Sequence, residues 1–298
     1  MNQQTVIGVD FGGTKIKFGA VTASGELTGK EFSLPTLSHR PRTQIIDTII
    51  GGIERAIHQS GRRRDEIGGI GIGSPGPLDL KSGTLLNPPN LPTLHNFPMK
   101  AALENHFHLP VKINNDGNCF ALGEAYFGSA RSASIVCGVT LGTGFGCGIV
   151  IDQKIYSGAT GTAAEVWCSP YADRNFEEYG SARAVNRIYE SLTGISKKSR
   201  DVFELAVQGD AAARTTWAEF GSHLGRILAI IVNILDPDII VIGGSVSNAW
   251  QFFSPSLVEN LHGNINPAPR NNLSIVHASL GDNAGLLGAA ALLFSDKH

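Results

Sequence analysis

Val6-Ile7-Gly8-Val9-Asp10-Phe11-Gly12-Gly13-Thr14-Lys15-Ile16-Lys17-Phe18-Gly19-Ala20-Val21 reads as an apolar strand, a tight turn of glycine and threonine, and a second apolar strand. The second half of the chain repeats the pattern as Val136-Cys137-Gly138-Val139-Thr140-Leu141-Gly142-Thr143-Gly144-Phe145-Gly146-Cys147-Gly148-Ile149-Val150. Glycine in such a turn tolerates positive φ and leaves backbone N–H groups open to an anion. Two hairpins of this kind facing each other can hold the two ends of a triphosphate, which points to phosphoryl transfer.

Other glycine motifs fit poorly. A Walker loop needs Gly-Lys-Ser/Thr opening a helix after a spaced glycine, and Lys15 follows Gly13-Thr14 without that context. A Rossmann fingerprint also needs a helix after its glycines, whereas Phe145, Cys147 and Ile149 alternate with glycine as in a strand. One glycine hairpin alone is weak evidence and reads more readily as a plain turn than as a phosphate site. Two copies, both with threonine and the first with Asp10 at its strand end, favour a phosphate site.

Composition narrows the class. The 298 residues are 42% hydrophobic and 17% charged, enough for a sizeable core in two lobes and unlike a disordered chain. The net charge of −2 and the short basic runs Arg62-Arg63-Arg64 and Lys197-Lys198 read as solvated turns, so no nucleic-acid partner is expected. Cys119, Cys137, Cys147 and Cys168 form no C-x-x-C pair, and three of them lie in apolar surroundings, as buried thiols do in a reducing compartment. A strand opening the chain leaves no room for a signal peptide. The apolar run at 227–242 is interrupted by Asn233 and Asp236-Pro237-Asp238, so no membrane span is expected there. A soluble, cytoplasmic protein is the expectation.

Periodicity predicts an α/β order. A helix is expected over 44–59, a buried strand over 67–72 ending in Ser74-Pro75-Gly76-Pro77, and a Pro-rich loop at Pro88, Pro89 and Pro92. A short helix over 99–107 then leads to a strand over 111–114, which ends at Asn115-Asp116-Gly117-Asn118. The plan restarts at Ile135 with the second hairpin, a polar stretch over 157–179, helices through Leu192 and over 211–235, and a buried strand over 239–242. That strand ends in Gly243-Gly244-Ser245, at a carboxyl end where ligands of α/β sheets collect. A small-residue helix over 284–294 closes the chain. Two similar halves around a hinged cleft follow, a geometry that excludes water from a transferring phosphate.

The segments Asp10-Phe11-Gly12-Gly13-Thr14-Lys15, Gly71-Ile72-Gly73-Ser74-Pro75-Gly76-Pro77, Asn115-Asp116-Gly117-Asn118, Leu141-Gly142-Thr143-Gly144 and Ile242-Gly243-Gly244 resemble, in order and spacing, those of the ROK family of bacterial repressors, open-reading-frame proteins and sugar kinases. The resemblance spans essentially the whole chain. It implies two actin-like or ribonuclease-H-like α/β domains around a hinged cleft, the smaller made of residues 1–116 plus 281–298 and the larger of 117–280. It also implies ATP-dependent phosphorylation of a hexose with Mg2+, and a homodimer.

Asp116 is the first candidate for catalysis. It ends a strand beside Gly117, where its carboxylate can reach the cleft, or it can cap a helix over 118–126. The resemblance makes it the base that takes the proton of a sugar hydroxyl. By the same resemblance Asn90 and Asn115 bind sugar hydroxyls, and Gly76 lets the backbone approach the ring. Asp10, Gly12, Gly13, Thr14, Lys15, Gly142, Thr143 and Gly144 surround the phosphates, and Gly243 and Gly244 flank the adenosine. From the residues alone, Asn90 can equally be a turn residue and Lys15 a surface strand lysine.

One segment departs from the family. ROK kinases carry Glu-x-Gly-His, a cysteine cluster that binds structural zinc, and a second glutamate. Here the matching residues keep Glu165 and Glu177 as acceptors for sugar hydroxyls, place Cys168 at the histidine position and shorten the loop without its cysteines. A single thiol cannot make a four-ligand zinc site, so no zinc is expected. A thiol is also a weak donor, which leaves fructose, mannose or an N-acetylhexosamine open beside glucose. Trp167 either covers an apolar sugar face or packs in the core. A repressor of this family needs a helix-turn-helix ahead of the first hairpin, and only five residues precede Val6. A catalytically inactive sugar sensor is the remaining alternative, suggested by Cys168.

Overall fold

The computed structural model describes residues 4–295. The first half runs through β1 (Thr5–Phe11), β2 (Lys15–Thr22), β3 (Phe32–Pro35), α1 (Arg42–Gln59), β4 (Ile67–Ser74), the small hairpin β5 (Leu78–Asp79) and β6 (Thr84–Leu85), α2 (Met99–Phe107), β7 (Val111–Asn115) and α3 (Asp116–Phe127). The second half begins with β8 (Ile135–Leu141), β9 (Phe145–Ile151) and β10 (Lys154–Ile155). A second small hairpin, β11 (Pro170–Tyr171) and β12 (Arg174–Asn175), leads into α4 (Phe176–Gly180), α5 (Ala182–Thr193), α6 (Ser199–Val207) and α7 (Ala211–Leu235). The chain continues with β13 (Ile239–Gly243), α8 (Trp250–Asn264), α9 (Pro267–Asn272), β14 (Ser274–His277) and α10 (Ala284–Ala291).

Among the described residues the strands build two five-stranded sheets, ordered β3-β2-β1-β4-β7 and β10-β9-β8-β13-β14. Both follow one plan, an antiparallel meander of three strands to which two parallel strands are added. β4 and β13 are buried along nearly their whole length, as central parallel strands covered on both faces must be. α1 turns Ile45, Ile49, Ile53, Ala56 and Ile57 inward at helical spacing.

Two helices lie between the sheets, α10 against β1 and β4, and α3 against β8 and β9. Their crossing is a contact of backbones: a Cβ at Gly288 would stand 1.6 Å from the Cys119 carbonyl oxygen, and one at Gly123 2.4 Å from that of Ala284. No larger residue fits either position. Beside the crossing, the buried carboxylate of Glu124 receives Ser129 N and Oγ at 2.9 Å, Ser279 Oγ at 3.2 Å and Leu280 N at 2.9 Å. Four donors make its burial tolerable, and they tie α3 to the loop that enters α10.

The element boundaries differ from expectation in places. α10 stops at Ala291 rather than 294, and α3 starts at Asp116 rather than 118. The polar stretch at 157–179 contains β11, β12 and most of α4. α7 has the length and composition to cross a bilayer, yet Trp217, Phe220, Leu224 and Leu228 face the core and the helix packs along α8. Residues 1–3 and 296–298 of the expected smaller domain lie outside the described residues.

Candidate active site

β7 delivers the central carboxylate. Asn115, its last residue, caps α3 by accepting Gly117 N at 2.8 Å. Asp116 is therefore the first helical residue, and the cap is Asn115 rather than Asp116. Its Oδ1 also takes Gly117 N at 2.8 Å. Gly76 stands across from Asn115, where a Cβ would come within 3.3 Å of the amide nitrogen. Gly76, Asn115 and Asp116 are thus brought together.

Asp116 is open to solvent along the cleft, although dense protein surrounds it. That crowding, followed by the charges of Asp10 and Glu165, pushes it up to about 6 against the opposing bond from Gly117. Burial likewise raises Asp10, with Lys17 and Lys15 acting in the other direction. Lys17 pairs with Asp10 in the strand register and donates to Asp282 O at 3.0 Å and to Asn283 Oδ1. Gly285 at the start of α10 abuts the Asp10 carboxylate, where a Cβ would stand only 3.0 Å from it.

Each glycine turn is closed by a backbone bond, Gly12 N donating to Lys15 O and, in the tighter second turn, Gly142 N to Gly144 O, both at 3.0 Å. Thr14, Lys15 and Thr143 are exposed at their tips. Thr36, which the sequence did not single out, holds the first turn by donating Oγ1 to Gly12 O at 2.6 Å and N to Thr14 O at 2.9 Å. Asn90 is exposed and lies against Gly13, beside the first turn. Gly243 ends β13, and Gly244 follows it with φ 86°. Next to them a cavity of about 420 Å³ is lined by Ser245, Asn248, Phe203 and Trp217, among others. A larger groove of about 600 Å³ follows β7 past Asn114, Lys112 and Lys154, away from Asp116.

The segment that departs from the family is exposed. Glu165 precedes a 3₁₀ turn at Val166–Cys168 and accepts Trp167 Nε1 at 2.8 Å. Trp167 is 43% exposed, so the core reading of this residue is overturned. Cys168 is exposed, its thiol 3.7 Å from Glu165 O. Glu177 lies at the second glycine turn, where it accepts Phe145 N at 3.3 Å and pairs with Arg183 at 3.2 Å. Besides Thr36, the sequence passed over Lys17, Glu124, Tyr171, Tyr179 and His223, and only the position of Lys17 opposite Asp10 could have been found from it.

Two five-stranded sheets of one topology, each opening on a strand–glycine turn–strand hairpin, define a two-lobed α/β protein of the actin-like class. The chain belongs to the ROK family, whose sequence model matches residues 6–296. It is 31% identical to a glucokinase of Thermotoga maritima, with 98% of each chain covered. It is 32% identical to an N-acetyl-D-glucosamine kinase of Vibrio cholerae, covering 96% of this chain and 98% of the relative. Among solved structures, a ROK family glucokinase from Streptomyces griseus in complex with glucose and AMPPNP is 30% identical, with a TM-score of 0.81 and coverage of 97% and 98%.

Proposed function

We propose that the protein is an ATP-dependent hexose kinase that converts glucose to glucose 6-phosphate. The observation that carries the reading is the Asp116 carboxylate, raised to about 6 where β7 passes into α3 beside Asn115 and Gly76, with Asp10 of the first hairpin and Glu165 of the second half acting on it. A base of this strength is ionised near neutrality and takes the proton of the sugar hydroxyl as its oxygen attacks the γ-phosphate. Asn90, Asn115, Glu165 and Glu177 bind the remaining hydroxyls, with Cys168 beside them and Gly76 giving backbone access. Thr14, Lys15 and the backbone of Gly12, Gly13, Gly142, Thr143 and Gly144 hold the phosphates, and Gly243 and Gly244 flank the adenosine.

Mg2+ would arrive with the nucleotide. The residue that fits it is Asp10, a carboxylate at the first turn within the field of Asp116 and Asp282 as well as of Lys15 and Lys17, and the ion would offset charge on the phosphates. The lobes, 1–116 plus 281–298 and 117–280, would close about the α3–α10 crossing to exclude water. The same reading takes the enzyme to be a cytoplasmic homodimer that binds neither membrane nor nucleic acid.

Cys168 supports a second reading. An exposed thiol where the resemblance places a histidine removes a hydrogen-bond donor from the acceptor side. A fructokinase, an N-acetylhexosamine kinase or an inactive sugar sensor would be the result. Measuring ADP release with glucose, fructose, mannose and N-acetylglucosamine separates these. The primary reading expects glucose to be turned over fastest, and sugar binding without ADP release would replace it with the sensor.

A further inference from the structure

The resemblance implies a zinc-bound cysteine cluster between Glu165 and Glu177, and the donor set here does not fit one. Cys168 is the only cysteine between them, and structural zinc takes four ligands. Among the described residues no three His, Cys, Asp or Glu side chains gather as a ligand set.

A different construction fills the segment. Phe176 N donates to Ser169 O at 3.0 Å and closes the β11–β12 hairpin between the 3₁₀ turn that follows Glu165 and the helix that carries Glu177. The Tyr171 ring meets the rings of Tyr179 at 5.1 Å, His223 at 5.8 Å and Phe176 at 6.2 Å. Its hydroxyl lies 3.1 Å from His223 Nδ1. Tyr179 packs on His223 at 4.6 Å, lies under the Arg187 guanidinium at 4.5 Å, and donates its hydroxyl to Asp173 at the hairpin tip. Burial, with Arg226 and Arg187 nearby, holds the His223 imidazole below its usual range, so the ring is neutral at pH 7 and can accept from Tyr171. His223 belongs to core helix α7, and Phe176 packs on Phe145 at the second glycine turn. The hairpin is therefore anchored both to the core and to the turn.

We propose that this aromatic cluster does the work of a structural metal, with Tyr171, Tyr179 and His223 as positioning residues that hold Glu165 and Glu177 toward the acceptor sugar. The role toward sugar rests on the hexose kinase reading, whereas the metal-free anchoring stands without it.

Tyr179→Leu and Tyr179→Phe test the proposal in protein stripped with a strong chelator and returned to Mg2+. Hydrogen exchange reads the anchoring without any need for activity. The stripped parent should keep residues 165–180 protected, the leucine variant should lose protection in that segment alone, and the phenylalanine variant, which keeps the ring, should stay close to the parent. Aromatic pairs of this kind predict that KM for hexose rises roughly 3- to 10-fold in the leucine variant, with kcat and KM for ATP little changed. Deprotection of the parent segment by chelation would show that a metal holds it and overturn the proposal. An unchanged hexose KM in an active leucine variant, or equal rises in both KM values, would overturn the positioning role. If Tyr179→Leu does not fold, the same measurements on His223→Gln decide. A parent that turns over no hexose would refute the kinase reading, while the exchange result would still judge the anchoring.

Discussion

Asp116→Asn should remove activity and stabilise the fold at the same time. Asparagine keeps the size of the side chain and an oxygen for Gly117 N, but it cannot take a proton, so phosphorylation should fall by about 10²–10⁴-fold. The stability change follows from linkage. The carboxylate sits at about 6 in the folded protein against an ordinary 3.8, so the folded state holds its proton more tightly than the unfolded chain. The stability this contributes is fully present below 3.8 and is lost as pH rises through about 6. At neutral pH the ionised side chain thus costs the fold free energy, nominally about 3 kcal/mol at 1.36 kcal/mol per unit. Because the group is open to cleft water, screening reduces this to about 1–2 kcal/mol. Urea unfolding of parent and variant near pH 7.5 and near pH 4 reads the difference. The variant should be more stable at the higher pH and nearly equal at the lower. A variant no more stable near pH 7.5, or one with the same gain at both pH values, would refute the electrostatic argument.

The pH profile of kcat/KM should fall below about 6 with the slope of one proton, and an acid limb near 4 would mean that Asp116 is not crowded as described. Cys168→His should lower KM for the preferred hexose several-fold by restoring a donor worth roughly 0.5–1.5 kcal/mol, with little effect on the melting temperature because the position is exposed; a large drop in melting temperature with no gain in affinity would contradict this. Glu124→Ala removes the shared acceptor of four partly buried donors and should cost about 1–3 kcal/mol in denaturant unfolding, whereas a loss well under about 1 kcal/mol would show that the clamp is dispensable.

The repeated hairpin made the duplicated fold legible, because a strand–glycine turn–strand pattern is local and each copy carries its own turn chemistry. Asp116 could be found for a similar reason, as an acid at a strand end beside glycine. The division of labour at that corner could not: Asn115, Asp116 and Gly117 all favour a helix start, and only the backbone angles show that Asn115 takes the cap. The polar stretch at 157–179 hid its order because its strands are two residues long and its stability comes from far away. Tyr171 meets its histidine 52 residues on, in α7. Glu124 meets Ser279 and Leu280 across 155 and 156 residues, so nothing near it in the sequence marks it as more than a surface-type acid on a helix. Trp167 misled for the opposite reason, since its apolar bulk suggests burial while its indole N–H is used locally by Glu165.

Phosphorus NMR of the protein incubated with ATP, Mg2+ and glucose follows the phosphoryl group from donor to acceptor. ADP and glucose 6-phosphate should grow in equal amounts with no inorganic phosphate, and neither product signal should appear with Asp116→Asn over the same time. Hydrolysis of ATP to inorganic phosphate without a sugar phosphate, or sugar phosphate formed at the parent's rate by Asp116→Asn, would contradict the hexose kinase reading.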